Sequence, residues 1–97
     1  MTTSAGDIVD DPDGSRFLLV SEGSEAELVY RKVGKRLILV HTGVPEELGG
    51  RGIGGRLVAA AVDEARREGL TVVPQCPFAR RWLEQHPDAV AGVTVDY

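Results

Sequence analysis

The chain has 97 residues, enough for one hydrophobic core and too few for two. Apolar residues make up 42% of it, which suits a globular domain and argues against disorder over most of its length. A formal charge of -4 disfavours a non-specific nucleic-acid binder, which needs a basic face, and the single cysteine, Cys76, excludes an internal disulfide and a multi-cysteine zinc site.

The opening MTTSAGDIVDDPDGS has no basic start and no apolar centre, so it does not read as a secretory signal. No apolar run approaches the roughly 20 residues of a membrane span, and a soluble cytoplasmic protein is expected. Residues 1–15 are small and acidic, with Asp7, Asp10, Asp11 and Asp13. They read as a flexible tail carrying at most a short strand at Ile8-Val9, ahead of a single domain over 16–97.

From Arg16 the runs RFLLV, AELVYRKV and RLILVHTGV have the length and branched content of strands. Gly34 suits the turn of a hairpin, so the second and third should pair antiparallel. The third is apolar at Leu37, Ile38, Leu39 and Val40, which predicts a strand covered on both faces.

After the glycine segment, Ile53, Leu57, Val58, Ala61, Val62 and Ala65 form one helical stripe up to Glu68. Asp63 and Arg67 sit at pairing distance along the helix, and Gly69 with Leu70 is a stop. TVVPQC is then a strand that a right-handed crossover places parallel to the third, with Pro74 where pairing ends. PFARRWLEQH is a second helix, bounded by Pro77 and Pro87, whose Phe78 and Trp82 read as core packing. AGVTVDY suits a last short strand. The fold class is therefore α/β (α+β), with antiparallel strands followed by a β-α-β crossover and a second short helix.

Between the third strand and the first helix stands LGGRGIGGRL. The first N–H groups of a helix lack internal partners and carry the positive end of its dipole, so glycines before them open a path for a phosphate. A P-loop would need Gly-Lys-Ser/Thr where Arg56-Leu57 follows Gly55. The dinucleotide fingerprint is met literally by Gly50, Gly52 and Gly55, but the antiparallel strands before it and Thr71-Val72-Val73 after it do not suit that fold.

HTGVPEEL, GGRGIGGRL, the helix through AAAVDEA, VVPQCPF and WLEQHPD together resemble the GNAT N-acetyltransferase superfamily, in particular its small single-domain YjdJ-type members. The resemblance covers His41 to Pro87 strongly and the earlier strands loosely. It implies acetyl-CoA as cosubstrate, with no metal, and an amine acceptor that is a protein or a small molecule. The backbone of Arg51, Gly52, Ile53, Gly54 and Gly55 would bind the pyrophosphate, while Thr42, Gly43 and Val44 would run beside the pantetheine arm. Cys76 would point toward the acetyl carbon. Two positions depart from the pattern. Gly49 replaces the Arg or Gln that usually opens the loop, and Gly43 replaces an acidic residue common in small members.

His41 is a candidate base, because histidine is the side chain that changes charge nearest neutral pH; otherwise it fills a sheet face. Cys76 is a candidate nucleophile or acid, with the helix beginning at Pro77 as an activating dipole; otherwise it is a small buried hydrophobe. An open acceptor side suggests a large acceptor or a homodimer that completes the pocket. The rival readings are a coenzyme-A-binding interaction module without catalysis and a scaffold for another phosphate ligand. Neither nucleic acid nor membrane is expected as a partner.

Overall fold

The computed structural model of the chain describes residues 8–97, so the part of the expected tail at residues 1–7 lies outside the described residues. β1 (Ile8–Asp11), β2 (Arg16–Ser21), β3 (Ser24–Val33) and β4 (Arg36–Gly43) form an antiparallel meander. β5 (Thr71–Pro74) adds parallel to β4, giving the sheet order β1-β2-β3-β4-β5. The crossover between β4 and β5 is α1 (Ile53–Glu68), and α2 (Pro77–Gln85) follows β5.

β1 pairs with β2 from Ile8↔Leu19 to Asp11↔Arg16, and the Tyr30 hydroxyl donates to Asp10 at 2.6 Å. Glu22 and Gly23 form a two-residue turn between Ser21 and Ser24, both at positive φ, the conformation that matches the twist of a hairpin.

The apolar stripe of α1 is buried at every expected position, together with Glu64. It packs with Phe17, Leu19, Leu28, Leu37, Leu39 and Val72 of the sheet and with Ala79 and Leu83 of α2 into one core. The helix ends at Gly69, and the Leu70 N–H bonds back to the Ala65 carbonyl at 2.9 Å. The expected pairing of Asp63 with Arg67 does not form. Arg66 takes Asp63 at 2.6 Å, and Arg67 takes Glu64.

β4 also departs from expectation: only the face of Leu37 and Leu39 is covered. Ile38 is half-buried and Val40 is 36% exposed. The physical reason is the number of helices. α1 lies on that face through the crossover and α2 packs beside it, leaving nothing among the described residues for the other.

A β-bulge then changes the phase of β4. Tyr30 faces Leu39 and Val29 faces His41, so Val40 is an extra residue. Beyond it Thr42, opposite Leu28, joins the helix face, while His41 and Gly43 face the open side. The expected last strand reduces to one parallel bridge, Val72↔Val95, with Arg36 holding Asp96 at 2.8 Å. None of the described helices is long and apolar enough to cross a membrane.

Candidate active site

The segment from Gly49 to Gly55 folds as a cap on α1. Gly52 is its N-terminal cap at φ 71°, a left-handed conformation that costs a residue with a Cβ about 1–2 kcal/mol. Among the described residues no side chain caps this helix, and no acidic residue stands in its first turn. The first intrahelical bond runs from the Arg56 N–H to the Gly52 carbonyl at 3.1 Å. The N–H groups of Ile53, Gly54 and Gly55 therefore have no acceptor within the helix. They lie at a cleft of 320 Å³ lined by Val44, Leu48, Gly52, Ile53, Phe78 and Trp82 among others.

The loop is held from outside by the tip of the β2–β3 hairpin. Ser24 donates to Glu47 at 2.7 Å, which keeps that carboxyl below its usual range, and Arg51 pairs with Glu22 at 3.3 Å. Arg51 thus turns its side chain toward the hairpin, which leaves main-chain groups to face the cleft.

Gly54 and Gly55 serve close approach between helices. A Cβ on Gly54 would lie 2.8 Å from Phe78 Cζ, and one on Gly55 would fall against Trp82 Nε1. The aromatic pair of α2 therefore lies over the first turn of α1. Trp82 packs against the core and stacks on His86 at 4.1 Å, whereas Phe78 is 44% exposed. The core role expected for this pair fits Trp82 only in part, and both rings wall the cleft. Their spacing of one turn was visible in the sequence, but nothing there showed that glycines would lie beneath them.

Beside the cleft, β4 outruns β5. Parallel pairing stops at Leu39↔Pro74, where the Leu39 carbonyl accepts from both Gln75 and Cys76 at 3.0 and 2.9 Å. Pro74 has no N–H with which to continue. Cys76 fills the opening. Its thiol is 3.4 Å from Thr42 Oγ1 and only 4% of the residue is exposed. Burial pushes the Cys76 thiol up. Hydrogen bonds from the Thr42 hydroxyl and from the N–H groups of Ala79, Phe78 and Thr42 outweigh that and hold it below its usual value.

Of the residues proposed from sequence, Val44, Gly52, Ile53, Gly54 and Gly55 meet around one cleft. Thr42 meets Cys76 beside it. His41 and Gly43 stand on the opposite face of the sheet, so the structure does not bring His41 and Cys76 together. The bulge at Val40 separates them, and no sequence pattern announced it.

Comparison with known proteins adds an independent line. The family model of GCN5-related N-acetyl-transferases matches residues 16–93. A GCN5-like protein from Staphylococcus aureus, solved in solution by NMR, is 31% identical over 98% of this chain and 94% of its own, with a TM-score of 0.73. Comparison with curated proteins finds no match. The five-stranded mixed sheet with two helices is shared with that structure, and with most of its length inside the family's pattern the chain belongs to the GCN5-related N-acetyltransferases.

Proposed function

We propose that the chain is a cytoplasmic, single-domain enzyme of the small YjdJ type, one that transfers acetyl from acetyl-CoA to an amine. The observation that carries this reading is the start of α1, uncapped by any described side chain, with three N–H groups that have no acceptor within the helix, at a cleft otherwise walled by apolar groups. An anion fits there because neither a side-chain cap nor a first-turn carboxylate competes for those groups. Val44, Leu48 and Phe78 suit an alkyl arm.

When bound, acetyl-CoA supplies an activated thioester carbonyl. Ile53, Gly54 and Gly55 hold its diphosphate by their N–H groups, and β4 beyond Leu39 offers an unpaired edge along the arm. Cys76, supported by Thr42, holds a proton within the opening between β4 and β5. His41, on the far side of β4, serves the amine.

Isothermal titration with acetyl-CoA tests the binding step, and coenzyme A release in the presence of amines tests turnover. Saturable binding with turnover, and loss of turnover with retained binding in Cys76→Ser, is the expected result. Absence of binding overturns the proposal. The separation of His41 from Cys76 favours one second reading, a coenzyme-A-binding module without catalysis; tight binding with no release from any amine would select it.

A further inference from the structure

The open face of the sheet carries a second cavity, of 440 Å³, lined by Arg16, Glu25, Glu27, Gly43, Val44 and Pro45. It adjoins the glycine cleft, since Val44 walls both. Its floor is Gly43, which pairs across the strands with Glu27. A Cβ at Gly43 would lie 3.4 Å from His41 Nε2 and 3.8 Å from Glu27 Cγ. The missing side chain therefore leaves a small gap flanked by the His41 imidazole and the Glu27 side-chain stem, whose carboxylate turns to Arg16.

The charges around this hollow are unequal. Arg16 is the one cation among its described lining residues, and it is already committed to Glu27 at 2.9 Å and to Asp11 at 3.3 Å. Glu25 lies two residues from Glu27 on the same face of β3, and it has no partner among the described residues. A strand places such side chains about 7 Å apart. The cavity thus offers one unclaimed carboxylate at a fixed interval from a hollow beside an imidazole.

Building on the acetyl-transfer reading, we propose that this cavity is the acceptor site and that its substrate is a small alkyl diamine or polyamine. One ammonium rests on Glu25, and the reacting amine lies over Gly43 between His41 and Glu27. An amino acid is disfavoured because its carboxylate would face Glu25 and Glu27 with Arg16 already paired. A monoamine leaves Glu25 unused.

The chemistry balances without a further reactant. His41 Nε2 takes the proton that the ammonium sheds to free its lone pair. The nitrogen–carbon bond forms, the carbon–sulfur bond breaks, and the second amine proton ends on the departing sulfur. The amide keeps the third.

The test has a binding arm and a turnover arm. Putrescine, butylamine, glycine and a lysine-containing peptide are titrated into the protein without acetyl-CoA, followed by NMR. The expected result is saturable shifts at Gly43 and Val44 with putrescine, at least tenfold weaker binding of butylamine, and a similar loss in Glu25→Gln. Arg31→Gln, a surface change outside the cavity, keeps putrescine binding. Coenzyme A release should then rank putrescine above butylamine in the same order.

No putrescine binding, binding unaffected by Glu25→Gln, or preference for the peptide overturns the proposal. Putrescine binding without acetyl-CoA binding sinks the acetyl-transfer reading, and this acceptor assignment falls with it. Acetyl-CoA binding without putrescine binding sinks the acceptor assignment alone.

Discussion

A methyl group at Gly55 would meet the Trp82 indole, and two opposed effects decide the consequence. In a free helix, glycine to alanine gains about 1 kcal/mol of propensity. Here the added atom must displace a ring that is stacked on His86 and packed against the core, an overpacking cost of about 1–3 kcal/mol. Gly55→Ala should therefore destabilise the protein in urea unfolding, and the loss should shrink when combined with Trp82→Leu. A stabilised single mutant would show that the ring is free to move. Thr42 acts on a proton instead of a volume. Its hydroxyl and N–H both help hold the Cys76 thiol below its usual value. Thr42→Val removes the hydroxyl alone, so thiolate absorbance should then titrate at higher pH than in the parent, with Cys76→Ala as blank. An unchanged or lower midpoint would mean that the backbone donors and the start of α2 suffice.

At the scale of elements, α1 is tied to the sheet by charge as well as by its apolar stripe. Lys32 of β3 reaches Glu64 and Glu68 at 3.2 Å, and Arg67 also takes Glu64. Glu68, when it holds a proton, donates to Glu64, and, against the cost of burial, hydrogen bonds from Lys32 and Arg67 likewise favour the charged form, lowering the Glu64 carboxyl to about 2. Because the folded value lies below the unfolded one near 4.5, this contribution is present above about 4.5 and is lost as pH falls toward 2. Glu64→Gln should therefore flatten the acid limb of the stability curve while lowering the plateau near neutrality. An acid limb as steep as the parent's would place the dependence elsewhere. α1 itself was plain in the sequence, because the stripe from Ile53 to Ala65 repeats at 3.6 residues and Gly69 ends it. Lys32, Glu64 and Glu68 were not connected there, since their contact depends on how the helix lies across the meander. The same limit hid the site's division. Local pattern placed His41 and Thr42 on one strand, but the extra residue at Val40 depends on pairing with β3 and sends them to opposite faces. The glycine loop was legible as an approach to a helix start. Its second use, under the rings of Phe78 and Trp82, requires α2 to lie across α1.

For the molecule as a whole, the decisive feature is a sheet whose described helices lie on one face only. Leu19 and Val20 are neighbours on β2 and test this directly: Leu19 is fully buried under α1 with the core, whereas Val20 is 49% exposed on the other side. Leu19→Ala should cost about 2–5 kcal/mol, the transfer energy of the lost methyl groups plus the cavity left behind. Val20→Thr keeps a β-branched shape and adds a hydroxyl that water can satisfy, so its cost should stay within about 0.5 kcal/mol. Urea unfolding of both variants at two protein concentrations distinguishes a solvated face from one covered by a second copy. If a second copy buried Val20, the added hydroxyl would cost more, and unfolding midpoints would rise with concentration. The parent is expected to show neither effect. That result would leave the cavity beside Gly43 open to a small cation in the single chain, the condition on which an acceptor site there depends.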